Sequence, residues 1–434
     1  MPKLDTKDEQ VLVTPSKHMS EKPLRLLALQ NLYPPDGPGG CGIAAREVLL
    51  RLEARGHKIL VLTSRYGSLQ PRVERSVARV LHTYAWSFVP RTTGPLNCEV
   101  QNQRMLRAIL KSHQPDVALI WSMSGLPLSL LAELNRRDIP IFYYMHDHWL
   151  LYWTDPWQAF WQRRRRGWRR VLGHVPGRSI GSAIGCGIAH NAEGQLRSQW
   201  AFVSEARKAE YREAGFDVVD GPVITNGVDS ERFSPIVRER ATKRTLQLLF
   251  VGNLVFDKGI HTALEALARL GSECPTMDVR LTVVGPKLDA QYYEDLLALV
   301  SRLEIESQVE FRGEISQDAI ASLYQYHDIL LLPSIVPEGL PLVLLEAMAC
   351  GLPAITTNTG GQTEVVDHMQ NGFIVAPERP EELSHYIALL ADPELRQTMS
   401  KSARRHVAKR YEWSLVVEQI EKLLYALVRN ETTP

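Results

Sequence analysis

Two carboxylates eight positions apart, Glu338 and Glu346, lie in the segment PEGLPLVLLEAMACGLP at 337–353. Pro341 suits a first helical residue, whose N–H would have no intrahelical partner, and Gly339 lets backbone approach a ligand closely. The sequence therefore predicts a helix that begins at Pro341. The free N–H groups and partial positive charge of its first turn form an anion site suited to a phosphate. Because a carboxylate repels a phosphate, each Glu is expected to bind hydroxyl groups, one set from a sugar and one from a ribose.

A glycine-rich loop is the second candidate ligand site. In DGPGGCG, Gly37, Gly39 and Gly42 have G-x-G-x-x-G spacing between an expected strand and an expected helix. That spacing alone suggests a dinucleotide site. A dinucleotide site also needs an acid about 20 residues further on. The chain has Thr-Ser-Arg at 63–65, where the second strand is expected to end. NAD is therefore disfavoured, and a tight turn without a ligand stays open as the alternative.

The segment IFYYMHDHWLLYW places His146, Asp147 and His148 directly after an expected buried strand. Two histidines around an aspartate could indicate a metal site. Three adjacent ligands are awkward for one ion, however, and no further cluster of metal-ligand residue types stands out. No metal site is therefore predicted. A buried histidine with satisfied hydrogen bonds is the simpler alternative for His146, and no role is predicted for His148.

Length and composition bound the class of protein. A chain of 434 residues with 44% hydrophobic and 23% charged residues is typical of a soluble protein of about two or three domains. A net charge of +1 favours no particular class of partner. The five cysteines are widely spaced and form no C-x-x-C pair, which argues against disulfides or zinc and favours a cytoplasmic protein. The N-terminus lacks the apolar run that a signal peptide needs, and no stretch approaches the length and apolarity of a membrane span.

Strand-like runs alternate with helical patterns, which indicates βαβ units and parallel sheets. The fold class predicted is therefore α/β, with two doubly wound parallel-sheet domains. The link between them is expected near 234–244, which is polar and contains Pro235. The expected strands are 24–30, 58–64, 116–121 and 139–144 in the first half, and 246–251, 279–285, 309–313, 328–334 and 353–358 in the second.

Several motifs together resemble those of the retaining GT-B glycosyltransferases, most closely glycosyltransferase family four, the group 1 glycosyl transferases. In that family a Glu, seven residues and a second Glu open the helix that holds the sugar nucleotide. The other matching segments are NLYPPDGPGG at 31–40, the His146–Asp147 pair, ITNGVDSERFSP at 224–235, FVGNLVFDKG at 250–259 and TGGQTEVV at 359–366.

The resemblance implies two Rossmann-like domains that face each other across a cleft. An acceptor domain is expected at 23–238 and a nucleotide-sugar domain at 239–408, after a mobile tail at 1–22. A C-terminal helix at 409–434 is expected to pack back onto the first domain. Because ligands of parallel sheets bind at the carboxyl ends of the strands, each motif falls where it can reach the cleft.

The resemblance also implies the reaction and the residues that perform it. A hexosyl group would move from a nucleoside diphosphate sugar to a hydroxyl of a glycan, glycolipid or small molecule, with retention and without metal or cofactor. Glu338, Lys258 and His146 are the implied catalytic residues, and Asp147 and Trp149 lie on the acceptor side. The implied donor-binding residues are Gly39, Gly40, Asn253, Lys258, Glu338, Gly339, Leu340, Pro341, Leu342, Glu346, Gly360 and Gly361.

Asn253 departs from the family pattern, which has an Arg there and a Lys at Lys258 to hold the departing diphosphate. A carboxamide offers neutral donors only, so the loss is about 1–3 kcal/mol, or roughly tenfold to a hundredfold in rate. Another cation could replace the Arg, the donor could differ, or the chain could be a weak or inactive relative. Two alternative functions therefore stay open: a non-catalytic partner subunit that binds a nucleotide sugar, and a nucleotide-sugar epimerase or phosphorylase.

The segment 153–170, WTDPWQAFWQRRRRGWRR, combines tryptophans with arginines. Such a combination suits the surface of an anionic membrane, and Trp153–Arg170 is predicted as a possible peripheral contact with the inner face of the membrane. A loop of the acceptor cleft or a solvated face is the alternative. Nucleic acid is disfavoured as a partner.

Overall fold

The computed structural model describes residues 21–37, 39–66, 70–84, 95–151, 198–216, 221–236, 245–316 and 318–430. The predicted tail up to residue 20, the Trp153–Arg170 segment and most of the predicted link, 237–244, lie outside these ranges.

A seven-stranded sheet forms the first half, in the order β3-β4-β2-β1-β5-β6-β7. β3 runs antiparallel to β4, and the other neighbours pair in parallel. The central strands are mostly apolar because helices cover both faces of a doubly wound sheet. The strands are β1 (Arg25–Gln30), β2 (Lys58–Ser64), β3 (Arg72–Glu74), β4 (Val77–Leu81), β5 (Val117–Ser122), β6 (Ile141–Met145) and β7 (Ser198–Phe202).

A six-stranded parallel sheet forms the second half, in the order β10-β9-β8-β11-β12-β13. Both halves therefore confirm the predicted α/β class with two parallel-sheet domains. The strands are β8 (Leu246–Val251), β9 (Val279–Val284), β10 (Val309–Gly313), β11 (Ile329–Leu332), β12 (Ala354–Thr357) and β13 (Gly372–Val375).

The helices connect the strands and cover the sheets. Each sheet packs apolar side chains on both of its faces, so each domain has two layers of core. The helices are α1 (Gly40–Ala54), α2 (Pro95–His113), α3 (Ser129–Arg136), α4 (Glu205–Glu213), α5 (Ile260–Glu273), α6 (Ala290–Arg302), α7 (Ile320–Tyr326), α8 (Leu342–Ala349), α9 (Pro380–Leu389), α10 (Pro393–Arg410) and α11 (Trp413–Arg429).

The C-terminal helix α11 packs against the first sheet. Its apolar face, including Trp413 and Ile420, belongs to the same buried cluster as β1 and α1. The carboxylate of Glu421 accepts hydrogen bonds from Arg55 (2.8 Å) and His57 (2.9 Å). The chain therefore returns to its first half after completing the second sheet.

Four strands were not predicted: β3, β4, β7 and β13. β4 carries a buried arginine, Arg79, whose guanidinium donates to the carbonyl oxygens of Tyr33 and Pro34. β3 and β13 are too short for a periodic pattern, with three and four residues. Among the helices of the described residues, none combines the length and apolarity needed to cross a membrane.

Candidate active site

The loop that leads into α8 lies between the two halves of the chain. A Cβ built on Gly339 would lie 2.5 Å from the carbonyl oxygen of His146, so only glycine allows this approach. The side chain of Asn226 donates to the carbonyl of Leu340 at 2.7 Å. The carboxyl ends of β6 and β11 therefore meet here, as expected for a ligand site of parallel sheets.

Helix α8 begins at Leu342, one residue later than predicted. Pro341 precedes it with extended backbone (φ −66°, ψ 125°) and occupies the N-cap position, where no side chain caps the helix. The prediction that Pro341 is the first helical residue is therefore wrong by one position. The helix nevertheless begins beside Glu338, with its N-terminus directed at the junction of the two halves.

Glu338 forms an ion pair with Lys258, and the same oxygen accepts a hydrogen bond from Ser334 Oγ at 2.8 Å. Burial raises the pKa of Glu338, but the charge of Lys258 and the bonds from Lys258 and Ser334 outweigh burial, so the pKa falls below its ordinary value. Glu338 is therefore ionised at neutral pH. An ionised carboxylate is an acceptor for the hydroxyl groups of a sugar.

The backbone of Glu338 is held by the TGGQ segment. The N–H of Gly361 donates to the Glu338 carbonyl at 2.9 Å. A Cβ on Gly360, whose φ is +61°, would lie 2.2 Å from that carbonyl oxygen, and one on Gly361 would lie 1.9 Å from the carbonyl of Gly339. These two glycines were predicted to touch the donor. The structure places them under the Glu338 loop, where they support it.

Lys258 reaches Glu338 because a tight turn follows β8. Gly259 has a left-handed backbone (φ +65°), and a Cβ there would lie 2.0 Å from the Pro333 carbonyl oxygen. The N–H of Ile335 donates to the carbonyl of Asp257 at 2.8 Å. The two loops are thus packed together, which fixes the lysine beside the glutamate. Asn253 lies in the same loop and is half-buried.

Glu346 lies on α8 and accepts a hydrogen bond from the hydroxyl of Tyr324 at 2.9 Å. Burial raises its pKa to about 7, although the Tyr324 bond and the charge of Arg232 oppose the rise. The gap beside Glu346 measures about 20 Å³ and is lined in part by Glu47 and Leu342. That is room for about one water molecule, so a ribose at Glu346 requires this gap to widen.

His146 is neutral and has a free ring nitrogen. It is 8% exposed, and its ring meets the ring of Tyr144 edge-on at 4.3 Å. Burial, and then the charge of Arg207, lower its pKa to about 3. Within the described residues, Nε2 has no hydrogen-bond partner. The alternative of a buried histidine with satisfied hydrogen bonds therefore does not describe this nitrogen.

Asp147 lies at the end of β6 with its carboxylate held inside the first domain. It accepts hydrogen bonds from Ser122 Oγ (2.7 Å) and from the N–H of Trp149 (3.3 Å). Burial raises its pKa, and the Ser122 bond opposes the rise. Trp149 is 1% exposed and packs in the core of the first sheet, and His148 pairs with Glu210 at 3.0 Å. The acceptor-side roles of Asp147 and Trp149 stay predictions.

The glycine-rich loop leads directly into α1. A Cβ on Gly42 would lie 2.6 Å from the Leu32 carbonyl oxygen, whereas one on Gly39 would meet nothing within 4 Å. A Cβ on Gly40 would lie 3.8 Å from the Leu342 side chain at the start of α8. Gly42 is therefore needed for packing, while Gly39 and Gly40 lie open beside the anion site predicted at α8.

Glu364 joins the two halves and was not predicted. Its two carboxylate oxygens accept hydrogen bonds from the N–H groups of Glu205 (3.0 Å) and Ala206 (2.9 Å), at the N-terminus of α4. A negative charge is favourable at this end of a helix. The hydroxyl of Tyr411 donates to the Glu364 carbonyl at 3.0 Å. The residue was part of TGGQTEVV, but nothing in that segment indicated a distant helix as its partner.

Arg207 is a second residue that the sequence did not predict. It lies on α4 and is 2% exposed, and its guanidinium pairs with Glu210. A Cβ on Gly339 would lie 3.6 Å from its Nη2. A buried cation from the first domain therefore lies at the loop that carries Glu338. The described part of the chain contains no group of three or more His, Cys, Asp or Glu side chains arranged to hold a metal ion.

Known families match both halves of the chain. The model for glycosyl transferases group 1 matches residues 235–406, and the model for Glycosyltransferase Family 4 matches residues 38–178. A glycogen synthase of Mycobacterium tuberculosis is 26% identical over 95% of this chain and 97% of its own length. An N-acetyl-alpha-D-glucosaminyl L-malate synthase of Bacillus anthracis is 34% identical over 42% of this chain and 46% of its own.

Solved structures share the fold. Sucrose-phosphate synthase from Thermosynechococcus elongatus superposes with a TM-score of 0.73 at 20% identity, covering 94% of this chain and 100% of that one. HepE of Anabaena, solved in complex with UDP-glucose, gives 0.66 at 19% identity, covering 93% of this chain and 100% of that one. This chain is thus a glycosyltransferase with the GT-B fold, and its second half matches the group 1 glycosyl transferases.

Proposed function

We propose that this glycosyltransferase moves a hexosyl group from a nucleoside diphosphate sugar to an acceptor hydroxyl, with retention and without a metal or cofactor. The observation that carries the proposal is the Lys258–Glu338 ion pair, which lies beside the N-terminus of α8. A cation, a helix N-terminus and an ionised carboxylate together suit a ligand that has a diphosphate at one end and hydroxyl groups at the other.

The donor would enter with its diphosphate against the α8 N-terminus and Gly39–Gly40. Lys258 would then turn from Glu338 to the phosphate oxygens, which frees Glu338 to accept hydrogen bonds from hydroxyls of the transferred sugar. His146 would contact that sugar from the first domain through its free Nε2. Glu346 would bind the ribose after the gap beside it has opened. Donor binding is therefore coupled to movement of the two domains.

In the transfer itself, the bond from the anomeric carbon to the phosphate oxygen breaks and a bond to the acceptor oxygen forms on the same face. The acceptor proton passes to the departing phosphate oxygen. Glu338 would steady the positive charge that develops on the sugar, while Lys258 and the helix N-terminus stabilise the negative charge on the diphosphate. Most of the rate enhancement would come from positioning and from this fixed electrostatic field.

UDP-glucose is the first donor to test, because a protein of the same fold was solved with it. Thermal-shift screening against UDP, GDP, ADP and TDP sugars would identify the donor, since a ligand at 100 times its dissociation constant adds about 2.7 kcal/mol of stability. Proton NMR of the product made from an α-linked donor should show an α-linked sugar. A β-linked product would refute retention, and loss of turnover in EDTA would refute metal independence.

A non-catalytic partner subunit remains the second candidate, because Asn253 leaves the diphosphate site with one cation fewer than the resemblance implies. Such a subunit would be stabilised by a nucleotide sugar without consuming it on any acceptor of the panel. An epimerase would instead convert the sugar while it stays attached to the nucleotide, which NMR of the nucleotide sugar would detect.

The acceptor and the location of the protein in the cell also stay proposals. We infer a glycan, lipid-linked or small-molecule acceptor and a cytoplasmic protein that contacts the inner face of the membrane through Trp153–Arg170. Sedimentation with liposomes tests this contact. More protein should pellet with vesicles that contain anionic lipid than with neutral vesicles, and equal pelleting would end the membrane proposal.

A further inference from the structure

Arg207 has a buried N–H that lacks an acceptor. Its side chain is 2% exposed, and one terminal nitrogen, Nη1, donates to the Glu210 carboxylate. Its Nε has no hydrogen-bond partner among the described residues. A buried donor without an acceptor costs about 1–3 kcal/mol, so a protein keeps one where strain or a ligand explains it.

The guanidinium of Arg207 lies close to the loop that carries Glu338. One point, the Cβ position of Gly339, lies 3.6 Å from Arg207 Nη2 and 2.5 Å from the carbonyl oxygen of His146. Burial raises the pKa of Glu338, whereas the charges of Lys258 and then of Arg207 lower it. The charge of Glu338 is therefore stabilised by two cations, one from each domain.

The position of Arg207 is fixed by contacts with both halves of the chain. Its own N–H donates to Ser204 Oγ at 3.0 Å, so it occupies the first turn of α4. The two preceding N–H groups are held by Glu364 of the second domain. These contacts fix the start of α4, and with it the Arg207 side chain, beside the loop that carries Glu338.

We propose that Arg207 is the second cation of the donor site and supplies, from the first domain, the positive charge that Asn253 does not carry. The inference rests on the proposed function, because it concerns the same donor. A nucleoside diphosphate carries more negative charge than Lys258 alone offsets. Closure of the cleft brings Arg207 up to the diphosphate, and an oxygen of the donor accepts from its Nε. A charge that arrives only on closure also favours transfer over premature loss of the sugar to water.

The test compares four variants with the parent protein: Arg207→Met, Arg207→Lys, Arg207→Met combined with Asn253→Arg, and the control Arg212→Met. Arg212 is an exposed arginine on the same helix. The probe is whichever of UDP, GDP, ADP and dTDP stabilises the parent most, together with its glucose derivative. Calorimetric affinity for the nucleotide and kcat for its release from the sugar nucleotide are measured.

Arg207→Met should weaken nucleotide binding and lower kcat by about tenfold to a hundredfold, the range for a charge-assisted hydrogen bond. Arg207→Lys should keep part of the activity, and Asn253→Arg should recover at least about tenfold of the loss because it restores a cation where the family pattern has one. Arg212→Met should match the parent. A buried ion pair that only supports the fold would not be replaced by a cation at position 253.

Two results would overturn the role of Arg207: unchanged binding and kcat in Arg207→Met, or a loss that Asn253→Arg does not recover. If Arg207→Met unfolds at the assay temperature, the double variant Arg207→Met/Glu210→Gln removes the charge left behind and should show the same loss and the same recovery. A parent that binds none of the four nucleotides would instead overturn the proposed function, and the role of Arg207 with it.

Discussion

Replacement of Lys258 by Met should abolish most of the turnover without unfolding the protein. Lys258 makes an ion pair with Glu338, and the lysine side chain is 24% exposed. Replacing the lysine therefore leaves the half-buried Glu338 carboxylate without its main cation. The pKa of Glu338 should rise, because burial raises it once the lysine no longer opposes burial. In the transition state, the departing diphosphate would lose a direct charge.

The size of this effect follows from the kind of contact that is lost. Removing one preorganised donor from a developing anion costs about 2.7–4 kcal/mol, or roughly a hundredfold to a thousandfold in kcat. The assay is the release of nucleoside diphosphate from the preferred sugar nucleotide, followed at saturating acceptor. Lys401→Met, which removes an exposed lysine on α10, is the matched control and should keep full activity.

A specific result would refute this reasoning. If Lys258→Met kept a kcat within about threefold of the parent, the lysine would not act on the departing group, and the ion pair would be structural. Unfolding of the variant at the assay temperature to an extent that accounts for the whole loss of activity would also indicate a structural role. Guanidine titration of both variants therefore accompanies the kinetics, so that the loss of activity and the loss of stability are measured separately.

Three further predictions concern the residues that support the site. Gly360→Ala should lower the free energy of unfolding by more than about 1 kcal/mol, because its Cβ would lie 2.2 Å from the Glu338 carbonyl oxygen. Gly271→Ala, in an open helical position, is the control and should not lower it; equal melting curves for the two variants would contradict the prediction. Glu346→Gln should flatten the pH dependence of the free energy of unfolding. Because the pKa of Glu346 is raised from 4.5 to about 7, its protonated carboxyl stabilises the fold at low pH, and this contribution is lost as the pH rises to about 7. Parallel stability curves for the parent and the variant would refute the shift. Glu364→Ala removes two hydrogen bonds to α4, so it should loosen the contact between the domains and raise the radius of gyration measured by X-ray scattering. Glu294→Ala, at an exposed position, is the control, and an equal radius in the two variants would contradict the prediction.

Much of the candidate site was readable from the sequence because each of its motifs follows a parallel strand. Glu338 follows β11, Lys258 follows β8 and His146 follows β6. The carboxyl ends of parallel strands lie at one edge of a sheet, so apolar runs followed by glycine and polar residues place these segments at one edge. The roles of Lys258 and His146 came instead from the family resemblance. The Lys258–Glu338 pair is the direct outcome of two such loops packing together.

Contacts made across the two domains were not readable in this way. Arg207 and Glu364 contact residues that are far away in the sequence, and no spacing pattern around either residue indicates which residue it contacts. The four strands that were missed are short or carry polar residues. Three of them, β3, β7 and β13, lie at sheet edges, where a strand needs less apolar surface than a central one. The helix that carries Glu346 begins one residue late because Pro341 adopts extended backbone as the N-cap, a choice that its fixed φ allows as readily as a helical start.

The most direct test of the account is the turnover of the preferred sugar nucleotide by the parent and by Glu338→Gln. This change keeps the size of the side chain and removes the charge that lies beside Lys258. The exposed residue Glu294, changed to Gln, is the control. We expect the parent and the control to release nucleoside diphosphate at equal rates, and Glu338→Gln to bind the nucleotide but turn over at least about a hundredfold more slowly. Equal turnover by Glu338→Gln would contradict the central claim that this carboxylate holds the transferred sugar.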